Sequence, residues 1–133
     1  MNLVWFRNDL RVHAHRALQQ ALSADGPVTA LYFLCEKQWD SHQVAPLRRW
    51  YVLHSLLELG EQLARMGIEL EIVDAGTFTA IPSLLTQRVR ELGVRQIFCT
   101  REYPLNERRR DEAVAAAMAE LDVAIHGVDD SVL

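Results

Sequence analysis

The sequence has 133 residues, of which half are hydrophobic and about a quarter are charged, as expected of a single globular domain. No apolar run approaches the roughly 20 residues that a membrane helix needs, and the first residues lack a signal-peptide pattern, so we expect a cytoplasmic location. The formal net charge is −4, whereas a domain that binds DNA by itself normally carries a basic excess. We therefore expect this chain to contact neither DNA nor a membrane.

Apolar runs of strand length alternate with helical patterns along the chain. The predicted strands cover residues 2–6, 28–34, 69–73, 94–99 and 124–128. The predicted helices cover residues 13–24, 46–66, 79–92 with Thr79 as its cap, and 104–121. This alternation predicts an α/β fold, in which right-handed crossovers build a Rossmann-like, doubly wound parallel sheet of five strands. The expected strand order is 3-2-1-4-5, which places a ligand crevice at the carboxyl ends of strands one and four.

The longest helical pattern, residues 46–66, follows a long predicted loop at residues 35–45. One set of residues in this helix recurs at helical spacing and is expected to face the core, with Leu56 and Leu63 beside it: Trp50, Leu53, Leu57, Gly60 and Ala64. Trp5 and Trp50 are both expected in the core, and Trp39 is expected to line the loop.

Motifs for phosphate and metal chemistry are missing from the sequence. Neither GxGxxG, nor GxxxxGK[ST], nor HExxH occurs, and no glycine lies between Phe6 and Leu22. The histidines do not cluster as metal ligands: His13, His15, His42, His54 and His126. His13 and His15 are assigned surface or capping roles, and Cys35 and Cys99 are expected to be buried thiols in a reducing compartment. We therefore predict no metal site and no catalytic residue.

Charged residues follow the first predicted strand, at the expected crevice. Arg7, Asp9 and Arg11 stand close together in this loop. An exposed arginine–aspartate pair contributes less than about 1 kcal/mol, so one interpretation is a solvated loop. The other is a docking surface for a further domain or for an anionic ligand, and the spacing favours neither.

A second polar segment follows the fourth predicted strand. Asn106 and Glu107 fall where a helix begins, and both residue types favour a helix N-terminus. A carboxylate such as that of Glu107 also accepts two parallel hydrogen bonds from an amino-pyrimidinone edge, as a pterin presents. The residues alone favour capping over ligand contact but leave both open. The arginines at positions 108–110 are typical of a solvated helix face.

The segment LVWFRNDLRVH at residues 3–13 resembles the opening signature of the photolyase/cryptochrome family. Two further segments are similar to bacterial cyclobutane-pyrimidine-dimer photolyases of the folate type: KQWDSHQVAP at residues 37–46 and YPLNERRRD at residues 103–111. GVDDSVL at residues 127–133 resembles the family's exit from its first domain. The resemblance covers essentially the whole chain.

In that family the N-terminal α/β domain carries a light-harvesting antenna, and a larger C-terminal helical domain carries FAD and binds damaged DNA. The resemblance implies that residues 1–133 are the antenna domain and that the helical domain is absent from this chain. It implies methenyltetrahydrofolate as the antenna, with His42, Asn106 and Glu107 contacting its pterin. FAD is then expected only in the parent protein. The implied partners are the C-terminal domain of the same polypeptide and, through it, damaged DNA.

The implied function is that of the antenna domain of a deoxyribodipyrimidine photolyase, a carbon–carbon lyase that repairs UV-induced pyrimidine dimers with light. The antenna passes excitation energy to FAD, and this fragment alone is not expected to be catalytic. Three alternatives stay open: a domain of a blue-light cryptochrome photoreceptor, a stand-alone nucleotide-binding α/β module, and a structural partner domain with a vestigial antenna site. A repair assay separates photolyase from cryptochrome, and ATP calorimetry tests the nucleotide-binding module.

Overall fold

The computed structural model describes residues 1–41, 45–101 and 105–129. The strands are β1 Asn2–Phe6, β2 Val28–Leu34, β3 Leu70–Asp74, β4 Gln96–Thr100 and β5 Ala124–Val128. The helices are α1 Arg16–Ser23, α2 Glu36–Ser41, α3 Pro46–Arg65, α4 Ile81–Leu92 and α5 Leu105–Glu120, with a 3₁₀ turn at Phe78–Ala80.

The five strands form one sheet in the order β3-β2-β1-β4-β5, and every neighbouring pair is parallel. This confirms the predicted α/β class and strand order. β1 lies at the centre, where Val4 pairs with Ala30 on one side and with Phe98 on the other. From β1 the chain adds β2 and β3 on one side of the sheet and then adds β4 and β5 on the other. This change of side leaves a crevice between the carboxyl ends of β1 and β4.

Helices cover both faces of the sheet, and the core is therefore double. Every residue of β1 is buried. Because side chains alternate along a strand, Leu3 and Trp5 pack towards α4 and α5, whereas Val4 and Phe6 pack towards α1 and α3. Burial on both faces explains why β1 and β2 read as nearly continuous apolar runs in the sequence.

The helix boundaries differ from the predictions in three places. α1 begins at Arg16 instead of residue 13, and α2 occupies part of the segment that was expected to be a loop. Thr79 lies inside the 3₁₀ turn and does not cap α4. The end of α4 is as predicted, because Gly93 adopts the left-handed conformation at φ 68°, which closes a helix without steric cost.

The predicted centre of the core face of α3 is wrong, although Leu56 and Leu63, expected beside it, are buried. The buried residues of this helix are Leu56, Leu59 and Leu63, whereas Trp50 and Leu57 are 60% and 68% exposed. Both sets recur at helical spacing, so periodicity alone cannot choose between them. Trp5, by contrast, lies in the core as expected, with 2% exposed.

None of the helices in the described ranges combines the length and apolar character that crossing a bilayer requires.

Candidate site at the crevice between two strands

The crevice lies where the chain leaves β1 and β4 in opposite directions. β1 leads to α1 on one face of the sheet, and β4 leads to α5 on the other. The two strands end at Phe6 and Thr100, so the residues that follow border the gap between them. Ligands of open α/β sheets usually bind at this position.

Arg7 connects the two sides of the crevice. Its guanidinium donates to the backbone carbonyl of Thr100 and, through Nη1, to Oδ1 of Asp111 at 2.5 Å. The residue is buried, and a buried guanidinium requires such charge-assisted partners because an unpaired one is strongly destabilising. Arg7 therefore joins β1, β4 and α5 within the domain.

Asp9 is the centre of a second group of polar contacts. Its Oδ1 accepts the backbone N–H of Arg7 at 2.8 Å, and its Oδ2 accepts the hydroxyl of Thr100 at 2.7 Å. Nε2 of His15 lies 2.5 Å from the same Oδ2. The sequence suggested an arginine as the partner of this carboxylate, whereas its side-chain partners in the structure are a histidine and a threonine.

Two opposing effects set the pKa of Asp9. Burial by itself raises the pKa of this carboxyl. The hydrogen bond and electrostatic attraction of His15, together with hydrogen bonds from the Arg7 backbone and Thr100, outweigh burial and lower the pKa from 3.8 to about 2. Asp9 is therefore ionised near neutral pH and holds the loop after β1 against β4.

His15 caps the start of α1. Its Nδ1 accepts the backbone N–H of Leu18 at 3.0 Å, which satisfies one of the free amides of the first turn. Nε2 of the same ring lies 2.5 Å from Oδ2 of Asp9. The ring also packs against Phe6, with 4.9 Å between the centroids. The predicted capping role is confirmed, and the contact with Asp9 is a feature that only the fold reveals.

A second buried arginine approaches the same aromatic ring as Arg7. The guanidinium carbons of Arg7 and Arg110 lie 4.8 and 5.1 Å from the centroid of Trp5. Nε of Arg110 donates to Oδ1 of Asp111 at 3.0 Å, the oxygen that also accepts from Arg7. One carboxylate therefore joins two cations that both contact the indole of Trp5.

Arg110 was not among the predicted site residues. The arginines at 108–110 were expected on a solvated helix face, which is right for Arg108 and Arg109 but wrong for Arg110, which is 6% exposed. Val114 and Met118, one and two turns further along α5, are also buried. This i, i+4, i+8 spacing puts the three residues on one face of α5, and the fold turns that face inward.

Two cavities open at the crevice. The smaller, of about 80 Å³, is lined by residues that include Trp5, Phe33, Trp39, Phe78 and Arg110. The larger, of about 300 Å³, lies between the loop after β1 and α3, and its lining includes Arg7, Arg11, Arg48, Tyr51 and Ser55. Aromatic walls beside guanidinium groups suit a flat organic ligand that carries negative charge. Within the described ranges, no group of histidine, cysteine and acidic side chains is arranged to hold a metal ion.

The family model described as DNA photolyase matches residues 2–133. This chain belongs to the DNA photolyase family.

Similar proteins of this family include photolyases and cryptochromes. The chain is 35% identical, over 99% of its length, to the deoxyribodipyrimidine photo-lyase of Escherichia coli. A crystal structure of a Synechocystis cryptochrome superposes with a TM-score of 0.86 at 26% identity, covering 96% of this chain and 26% of that one. An archaeal photolyase from Sulfolobus tokodaii, solved with two FAD molecules, has a TM-score of 0.77 over 97% of this chain and 29% of its own. Its identity is 20%, so that likeness shows the fold alone.

This photolyase-family chain spans about a quarter of its curated relatives, 28% of the E. coli protein. The activity, substrates and partners of the longer proteins are therefore not assigned to this chain by similarity alone.

The predicted cofactor residues fall largely outside the described part of this photolyase-family domain. His42 lies outside the described residues. Asn106 and Glu107 belong to the first turn of α5, but their side chains are outside the described set. α2, which precedes His42, and the start of α5 both follow strands at the carboxyl edge of the sheet. The assignment of these three residues stays a prediction.

The predicted docking residues differ in exposure. Arg7 and Asp9 are buried and bind other parts of the domain, whereas Arg11 is half-buried and donates to the carbonyl of Ala14 at 3.4 Å. Their role in docking a further domain stays a prediction, and Arg11 is the most accessible of the three.

Both cysteines of this photolyase-family domain are buried free thiols. Burial raises the pKa of Cys35 to about 11 and raises that of Cys99 as well. Thiols held in the protonated form are unreactive, which agrees with the predicted structural role of both residues.

Proposed function

We propose that this domain binds a light-harvesting antenna chromophore in a longer photolyase and holds it for energy transfer to FAD in the C-terminal domain. The observation that supports this most directly is the crevice, where two cavities lined by aromatic and arginine side chains open at the ligand-binding edge of the sheet. Damaged DNA would be bound by the C-terminal domain, in keeping with the net charge of −4 here.

The proposed antenna is methenyltetrahydrofolate. Its pterin edge would donate to the carboxylate of Glu107, with Asn106 and His42 completing the contact. The residues of the larger cavity fit the rest of the molecule, because Arg11 and Arg48 border it and a folate tail ends in carboxylates. When bound, the folate absorbs near-ultraviolet or blue light and supplies excitation energy to the flavin.

The contribution of this chain is position and orientation. The contacts of Arg7 with Thr100 and Asp111, and those of Asp9 with Thr100 and His15, hold both sides of the crevice together. No proton transfer by this domain is part of the proposal. A rigid crevice matters because energy transfer depends on the relative orientation of the two chromophores.

The decisive experiment is the substitution Glu107→Ala in the full-length protein, with Glu112→Ala as the matched control. Glu112 is exposed on the same helix. We expect Glu107→Ala to abolish the near-ultraviolet antenna absorbance, while the FAD absorbance and the thermal unfolding midpoint stay unchanged. Glu112→Ala should retain both chromophores. Unchanged antenna absorbance in Glu107→Ala would remove the assignment of Glu107.

A blue-light cryptochrome is the second candidate, because a cryptochrome structure superposes on this chain with a TM-score of 0.86. The two candidates share this domain and differ in the chemistry of the longer protein. Illumination of the full-length protein with dimer-containing DNA separates them: restored DNA supports a photolyase, and absence of repair with intact flavin photoreduction supports a photoreceptor.

A further inference from the structure

The long helix α3 is apolar on two opposite faces. Its inner face packs Leu56, Leu59 and Leu63 into the core, each with no more than 2% exposed. Its other side carries five large hydrophobic residues on the surface, which we call the outer face of α3: Leu47, Trp50, Tyr51, Leu53 and Leu57, at 77%, 60%, 65%, 42% and 68% exposed. The pairs 47/50, 47/51, 50/53 and 53/57 are three or four residues apart, so the five residues share one broad side of the helix.

The outer face is too large and too apolar for an ordinary solvated helix. Five such side chains expose on the order of 600 Å² together, which is at the upper end of the largest apolar patch on a typical monomer. The ring of His54 stacks on Trp50 at 5.1 Å with 6° between the planes, which extends the flat surface. A large apolar patch on a protein surface usually marks a contact with another part of the protein or with a partner.

We propose that the outer face of α3 is the surface on which the remainder of the longer photolyase polypeptide packs. This inference uses one part of the proposed function, namely that the chain is one domain of a longer protein, and it does not depend on antenna binding. The occupant would be an apolar segment of that same polypeptide. Glu58 and Glu61 are exposed beside the C-terminal half of the outer face, so basic residues are expected at the edge of the occupying segment.

The size of the polypeptide outside this domain supports an occupant from the same chain. The domain spans 28% of the curated relatives that it matches, so in a protein of that length most of the chain is available to cover α3. A tethered segment also has an effective concentration in the millimolar range, which favours it over a separate molecule.

The area of the outer face argues against a second copy of the chain as the occupant. A stable interface between separate proteins usually buries about 800 Å² on each partner. The outer face is one helix wide and falls short of that area even if all of it is covered. A tethered segment requires less area, because it does not lose the full translational and rotational freedom of a separate partner.

Distance does not prevent this arrangement. α3 packs beside β3, and β3 and β5 are at opposite edges of the sheet. Four strand spacings of about 4.8 Å separate those edges, roughly 19 Å in all. A segment following β5 therefore needs only about ten extended residues to reach α3.

The test is carbene footprinting of the full-length protein, read residue by residue with mass spectrometry. Leu22 on α1, 47% exposed, is the internal reference. We expect Leu47 and Leu57 to be labelled several-fold less than Leu22, although both are more exposed than Leu22 in this domain. Labelling of Leu47 and Leu57 at or above the level of Leu22 would overturn the proposal.

Protein concentration separates the two occupants. The footprinting is repeated across a dilution series with the mass followed by sedimentation. Protection that persists in the monomer supports packing within one polypeptide, whereas protection that is lost as a dimer dissociates assigns the face to a second copy and overturns the proposal.

A pair of variants gives an independent measurement. Leu57→Glu in the full-length protein should increase the rate of proteolytic cleavage between the domains several-fold, because it places a charge in the contact, and Leu22→Glu should not. Equal cleavage of both variants and wild type contradicts the proposal, and if Leu57→Glu does not fold, footprinting of the wild type decides. Antenna absorbance of the full-length protein is measured separately. If it is absent while Leu47 and Leu57 are protected from labelling, the result counts against the antenna function and leaves the packing proposal standing.

Discussion

The contacts of Asp9 predict a specific dependence of stability on pH. Replacing Asp9 with asparagine keeps the shape of the side chain but removes the charge that His15 and the Arg7 and Thr100 donors stabilise. The pKa of Asp9 is lowered from 3.8 to about 2 in the folded protein, and each unit corresponds to about 1.4 kcal/mol. The ionised carboxylate therefore contributes about 2 kcal/mol to the free energy of unfolding at neutral pH.

The sign follows from the direction of the shift. A folded pKa below the unfolded value means that the folded state binds this proton less readily, so the contribution is fully present above about pH 4. It is lost as the pH falls through the folded pKa of about 2. The gap in unfolding free energy between wild type and Asp9→Asn should therefore be about 2 kcal/mol at pH 7 and should shrink between pH 4 and pH 2.

The assay is urea unfolding monitored by circular dichroism at several pH values, with Asp25→Asn as the control. Asp25 is exposed, and its substitution should leave the unfolding curve nearly unchanged. A gap for Asp9→Asn that stays constant down to pH 2 would refute the reasoning, because the lost stability would then not come from an ionised carboxylate.

Three further outcomes follow from the backbone and the thiols. Gly93→Ala should destabilise the fold by roughly 1 kcal/mol, because its φ of 68° is left-handed. Gly60→Ala should stabilise α3 by roughly 0.5–1 kcal/mol, because alanine favours a helix interior over glycine and the new Cβ would lie 3.8 Å from Leu70, in ordinary contact. The urea unfolding midpoint should fall for Gly93→Ala and rise for Gly60→Ala, and a change in the same direction for both variants would contradict these two predictions. Cys35, with its pKa raised to about 11, should react far more slowly with iodoacetamide at a mildly alkaline pH than after unfolding in urea, and equal rates would argue against its burial.

Local sequence patterns were enough to predict two kinds of feature: strands that are buried on both faces of the sheet, and a helix end that is marked by glycine. β1 and β2 have the predicted boundaries because their apolar runs are strand-sized and are followed by turn or polar residues. Gly93 ends α4 as predicted, since a left-handed residue is required there. With strands and helices alternating, the handedness rule left few possible strand orders, and the expected one is observed.

The candidate site was predictable in position but not in its contacts. Placing the loop after β1 at the crevice needed only the strand order. The partners of Arg7 and Asp9, which are Thr100, Asp111 and His15, could not be predicted, because Thr100 lies 91 positions from Asp9 and Asp111 lies 104 from Arg7. Contacts over such separations depend on how the strands assemble.

The sequence by itself determined the fold class, the strand order and, through its signature segments, the family. Only the tertiary structure decided which side of α3 faces the core and which arginine of the run at 108–110 is buried. The physical reason is the same in both cases. Periodicity shows that residues share a face of a helix, but the direction of that face depends on the neighbours that the fold supplies. For α3, where two faces are apolar, the sheet takes one and leaves the other exposed.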